Sequence, residues 1–143
     1  MKPIARRLAR QYAVQALYQW QLTHASSGDI EADFLKKQIN QRTDWDYFKE
    51  LIYTIPATHT EIDAHLLPFL ARPLAEVDPI ELAILRLSIY ELAKRLDIPY
   101  RVSINEALEL TKKYGSIEGY KFVNGLLDQV ARQLRALEMN SKK

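Results

Sequence analysis

Between Ile80 and Ala93 apolar residues fall on every side of a helical wheel: Leu82, Ile84, Leu85, Leu87, Ile89 and Leu92. A helix that is apolar all round is normally enclosed by others. Asp78 is placed to cap it, Pro79 suits its first turn, and Glu81 stands where a capping box puts a carboxylate. Glu81, Arg86 and Glu91 interrupt the run, which falls short of the ~18 apolar residues of a membrane span. The pattern predicts a central buried helix over about 79–96.

Upstream, a first helix is predicted from Pro3 to His24. Ala5, Ala9, Tyr12, Ala13, Ala16 and Trp20 share one arc, an alanine stripe suited to close helix contact. Arg6, Arg7 and Arg10 occupy an adjacent arc, and Val14, Tyr18 and Leu22 lie opposite the alanines. That second apolar strip needs a cover, supplied either by the bundle or by a partner. Asp29 is read as the cap of a short helix through Gln38. A third helix starts near Asp44 or Trp45, with Tyr47, Phe48, Leu51, Ile52 and Ile55 inward. Pro56 removes a ladder bond and predicts a kink or break near Tyr53 to Ile55. The pattern resumes with Ile62, Leu66, Phe69 and Leu70.

After a turn at Ile98-Pro99-Tyr100, Ser103 and Glu106 read as a capping box opening a helix to Tyr114. Gly115 suits a left-handed end and Ser116 the cap of the last helix. Val123, Leu126, Leu127, Val130, Leu134 and Leu137 form that helix's core stripe, with Phe122 beside Lys121 and Glu118 at its edge. The fold class is therefore all-α, a compact bundle of about six to seven helices. It is expected to form one domain over 1–143, with packed helical subdomains at 1–75 and 76–138 and a flexible tail from 139.

The 143 residues can bury a real core without staples, and no cysteine is present. Thiol chemistry is thereby excluded. MKPIARRLAR does not read as a secretory signal. His24, His59 and His65 follow no metal-ligand spacing, and the four glycines form no phosphate loop. No catalytic constellation, cofactor site or metal site emerges. Arg86 requires a buried partner, and Asn105 and Asn124 are expected to bond between helices. The first 28 residues carry four basic groups and no acid, while the rest of the chain nets −2. Such a basic arm suits an anionic partner, although a solvated helix face fits the charge equally well.

Asp78, Ile84-Leu85-Arg86, Tyr90-Glu91-Leu92, Ile98-Pro99, Ile104-Asn105-Glu106-Ala107, Gly115 and Phe122-Val123-Asn124-Gly125-Leu126-Leu127-Asp128 stand in the order and spacing of the NusB family. Arg6-Arg7, Ala13, Ala16-Leu17-Tyr18 and Trp20-Gln21 extend the likeness, so the chain resembles these bacterial transcription antitermination factors over essentially its whole length. The resemblance implies a cytoplasmic, non-enzymatic adaptor. Its partners would be the ribosomal protein NusE and single-stranded boxA RNA, in a complex with RNA polymerase, NusA and NusG acting chiefly on ribosomal RNA operons. Self-association when NusE is absent is also implied. The same fold heads a ribosomal RNA methyltransferase, but no methyl-donor domain is expected here. By the same mapping, RNA would meet Lys2, Arg6, Arg7, Arg10, Tyr114, Glu118, Lys121 and Phe122, and NusE would meet Tyr18, Leu22, Phe69 and Glu81. Tyr114 and Glu118 depart from close relatives, which carry Phe and Asp, and Pro56 has no counterpart in the family pattern. The alternatives are a protein-only interaction module and a detached methyltransferase head.

Overall fold

The computed structural model describes residues 3–37 and 39–141, and among these it is all-helical. The elements are α1 (Pro3–Thr23), α2 (Ser27–Lys36), α3 (Trp45–Ala57), α4 (His59–Leu66), α5 (Pro79–Lys94), α6 (Tyr100–Tyr114), α7 (Ile117–Leu134) and α8 (Ala136–Asn140). Short 3-10 turns at Leu67–Phe69 and Leu74–Glu76 join α4 to α5. The eight described α-helices slightly exceed the number that the hydrophobic pattern suggested. The chain divides into two compact units, one through Thr58 and one from His59. That division falls earlier than the 75/76 boundary expected, because α4 is fastened to α5.

In the first unit the alanine stripe is buried at Ala9, Ala13 and Ala16, and α1 packs on α2 and α3. Phe34, Phe48, Leu17, Ile30, Leu51, Ile52 and Ile55 fill the core. The Phe48 ring lies 5.3 Å from Phe34 and 4.9 Å from Trp45. Ser26, rather than Asp29, caps α2, its hydroxyl accepting from the Asp29 N–H at 3.1 Å. Asp29 instead sits in the first turn, where a carboxylate complements the helix dipole. Asp44 caps α3 through the Tyr47 N–H at 3.1 Å.

The expected break ahead of Pro56 does not occur. α3 runs through Pro56 to Ala57 and stops at Thr58. Proline in the last turn removes only a terminal bond, and the Ser27 hydroxyl supplies the Ile52 carbonyl at 2.7 Å. Thr58 then closes the helix, its N–H and its hydroxyl both donating to the Thr54 carbonyl, at 3.0 and 2.7 Å.

In the second unit α5 is buried continuously from Leu82 to Leu92. Asp78 caps it by accepting from the N–H groups of Ile80 and Glu81, at 2.9 and 3.2 Å. Arg86 finds the partner it requires in Asp63 of α4, a two-pronged pair at 2.9 and 2.8 Å with both side chains buried. Lys94 and Glu61 add a surface pair at 2.7 Å.

Several local readings are corrected. Ser103 is not a cap: α6 begins a turn earlier, at Tyr100. The Ser103 hydroxyl instead donates to the buried Glu91 carboxylate at 2.7 Å and lies 2.9 Å from the Ser88 hydroxyl. Gly115 is extended rather than left-handed (φ −119°, ψ −163°). Glycine is favoured there because a Cβ would stand 2.9 Å from the Thr111 carbonyl oxygen. Asn105 and Asn124 are exposed and do not bridge helices. The α7 stripe is buried at Val123, Leu126, Leu127 and Val130, but Leu137 is 89% exposed. The helix breaks at Arg135, whose guanidinium turns inward to the carbonyls of Leu92, Glu91 and Arg95 at 2.9, 3.2 and 3.0 Å. It thereby caps the negative end of α5. The tail expected from residue 139 is helical to Asn140.

Candidate nucleic-acid interface

The basic face of the first unit is built on Tyr47. Asp44 N–H donates to the Ala5 carbonyl at 3.0 Å, tying the start of α3 to the start of α1. Above the buried Tyr47 ring lie the guanidinium of Arg6, 4.5 Å from its centroid, and that of Arg10 at 5.7 Å. The arginine arc therefore divides. Arg7 is exposed, Arg6 lies half-buried along the surface, and Arg10 is only 3% exposed. Helical spacing placed Arg10 on the same solvent arc as Arg6; the aromatic face draws it inward instead. The Arg6 Nε is buried without a hydrogen-bond partner. Lys2 lies outside the described residues.

Arg42 is an addition that the sequence did not reveal. It lines a pocket of about 380 Å³ with Pro3, Ile4 and Ala5. An isolated loop arginine carries no pattern; its loop is brought to α1 by the Asp44–Ala5 bond and by the Asn40 N–H, which donates to the Tyr12 hydroxyl at 3.2 Å.

The opposite strip of α1 is graded. Val14 is fully buried, Tyr18 half-buried and Leu22 55% exposed. The bundle covers one end of the strip and leaves the other open.

In the second unit, Ser116 caps α7 by accepting from the Gly119 N–H at 3.0 Å. Around this corner Tyr114 is half-buried, and Glu118 and Lys121 are exposed. Phe122 is half-buried, with the Arg72 guanidinium 4.4 Å from its ring centroid. Arg72 was not singled out by the hydrophobic pattern, since it lies between the two 3-10 turns.

The same arginine faces Glu81. Burial pushes the Glu81 carboxyl above its ordinary value, Asp78 pushes it further, and Arg72 opposes both. A Cβ at Gly119 would collide with the Glu81 carboxylate, so the glycine keeps that space open. Phe69 is half-buried in the 3-10 turn that packs on α7. Glu81 and Phe122, assigned to different partners on the sequence pattern, thus share Arg72 as a neighbour.

Among the described residues no group of His, Asp or Glu could hold a metal ion. No described helix is long and apolar enough to cross a membrane.

The NusB family model matches residues 7–132. The chain belongs to the NusB family. The transcription antitermination protein NusB of Idiomarina loihiensis is 52% identical over 94% of this chain and 97% of its own length. That of Pseudomonas savastanoi pv. phaseolicola is 49% identical over 99% of the chain and 86% of its own length. Among solved structures, a crystal structure of the antitermination factors NusB and NusE in complex with dsRNA aligns with a TM-score of 0.84. It is 26% identical and covers 92% of this chain and 99% of its own. T. maritima NusB aligns at 0.75 with 31% identity, covering 89% and 90%.

Proposed function

We propose that this chain is an RNA-binding adaptor of transcription antitermination. It pairs with the ribosomal protein NusE and takes single-stranded boxA-type RNA from nascent ribosomal RNA transcripts. It acts in the cytoplasm with RNA polymerase, NusA and NusG, and it performs no catalysis. The observation that carries this reading is the basic, aromatic-backed face of α1, within a chain so similar to NusB proteins along its length.

In the first unit Arg6, Arg7 and Arg42 serve as phosphate contacts, with Lys2 continuing the arm and Arg10 holding the arc against Tyr47. In the second unit Lys121 supplies a further phosphate contact, and Tyr114 and Phe122 offer faces on which unpaired bases stack. Glu118 beside them repels phosphate and tunes the affinity. Stacking on these side chains requires unpaired bases, which favours single-stranded RNA over duplex. NusE meets Tyr18 and Leu22 on the first unit and Phe69 and Glu81 on the second. Without NusE, the open Leu22 end of the α1 strip supports self-association.

Titration of a labelled boxA-type RNA into the protein, alone and with cognate NusE, tests the reading across salt concentrations. About four phosphate contacts give a slope of about −2.8 in log affinity against log salt. Tighter binding with NusE and weaker binding of the duplex form are expected. Absence of binding with and without NusE leaves a protein-only module and sinks the RNA role.

A further inference from the structure

The corner between α6 and α7 carries an open pocket of about 460 Å³ lined by Lys112, Gly115, Ser116, Ile117, Tyr120 and Lys121. Only Lys121 among these belongs to the RNA contacts proposed above. The lining surface is mostly apolar, although two lysines and a serine are among the lining residues. Ile117, at the start of α7, is 76% exposed. The Lys112 ammonium lies 5.8 Å from the Tyr120 ring centroid and 3.3 Å from the Glu109 carboxylate, an exposed pair that water weakens.

We infer that this pocket receives one unpaired nucleobase of the bound RNA, held between the Tyr120 ring and Ile117, while Lys112 and Lys121 meet the flanking phosphates. The inference rests on the RNA-binding reading and extends it to residues which that reading does not use. The size falls within the range of about 300–1,000 Å³ typical of ligand sites, enough for a base with its sugar. A mostly apolar lining that includes an aromatic residue suits a planar heterocycle. Two lysines along the lining favour an anionic chain over an apolar peptide. Lys121 lines the pocket and is also one of the phosphate contacts proposed above, which links the pocket to that RNA-binding reading.

Binding of a short labelled boxA-type RNA is measured with cognate NusE, alongside a series in which each nucleotide in turn is made abasic. One abasic position is expected to weaken binding to the unaltered protein about 5- to 150-fold, the range of one stacked base. Tyr120→Ala should lose a similar factor on intact RNA and lose nothing further at that position. Tyr120→Phe, which keeps the ring, should bind like the unaltered protein. Ile117→Glu alters an exposed side chain, so it should weaken binding while the thermal melt stays unchanged. If Arg7→Ala weakens binding but Tyr120→Ala and Ile117→Glu do not, the pocket holds no base and the RNA-binding reading survives. Abasic penalties that persist unchanged in Tyr120→Ala also overturn the pocket. If the unaltered protein binds no RNA with or without NusE, both readings fall.

Discussion

The Ser27 hydroxyl donates at 2.7 Å to the carbonyl of Ile52, the group that would accept the N–H which Pro56 lacks. A proline four residues on leaves this carbonyl without its helical donor. The first residue of α2 therefore completes the last turn of α3. Ser27→Ala should cost about 1–2 kcal/mol, since it strands a part-buried carbonyl. In a Pro56→Ala background the helical N–H returns and the same change should cost much less. Denaturant unfolding of the four proteins reads the coupling, and purely additive effects would show that the two residues act independently.

Asp63 and Arg86 set a larger stake. Both are buried and bonded two-pronged, so Asp63→Ala leaves a guanidinium without its counter-charge. A loss of about 3–5 kcal/mol in unfolding free energy is expected. Asp63→Leu with Arg86→Met removes both charges and should recover most of that loss. A double variant as unstable as Asp63→Ala would mean that the pair contributes through something other than charge compensation.

The pattern of apolar positions was enough for α5, because a helix buried on all sides has few alternatives. It also required a partner for Arg86, although it could not name Asp63, 23 residues earlier. Local cap rules succeeded at Asp78 and Ser116, whose side chains accept from N–H groups in the first turns of α5 and α7. They failed at Ser103, whose hydroxyl is claimed by Glu91 from another helix, a contact that no local rule contains. Arg135 misled the stripe reading in the same way: its bonds to the end of α5 break the helix and expose Leu137. For the candidate interface, helical spacing put Arg6, Arg7 and Arg10 together but could not see Tyr47 beneath them. Arg42 and Arg72 lie in irregular segments, where periodicity carries no information.

Glu81 should make stability depend on pH. Its folded carboxyl stands above the ordinary 4.5, chiefly through burial and the nearby Asp78. The folded state therefore holds this proton more tightly than the unfolded chain does. Stability falls as pH rises from about 4.5 towards the folded value, and stays lower above it. Glu81→Gln removes that penalty, so the variant should match or exceed the parent at neutral pH. The gain should stay within about 1 kcal/mol, because the group is partly exposed and screened. Thermal melts across the acid range measure it. A variant that loses stability at neutral pH would show that the carboxylate makes a favourable contact outweighing its burial.

Arg7 and Arg10 are one turn apart in sequence yet differ in what surrounds them, and their alanine variants should separate. Arg7 is exposed, so Arg7→Ala should leave the melt unchanged, weaken RNA binding and lessen the salt slope by about 0.7, one phosphate contact on a single strand. Arg10 is buried above Tyr47, and Arg10→Ala should lower the melting temperature. A desolvated cation–π contact contributes about 2 kcal/mol, and the lost packing adds to that. Its RNA affinity, measured where the variant is fully folded, should fall without a change in salt slope. A slope reduced as much as for Arg7→Ala would mean that Arg10 itself reaches a phosphate. The guanidinium would then have to leave the Tyr47 ring on binding, and Tyr47 would become more exposed in the complex, a change that tyrosine fluorescence with RNA titrated in would detect.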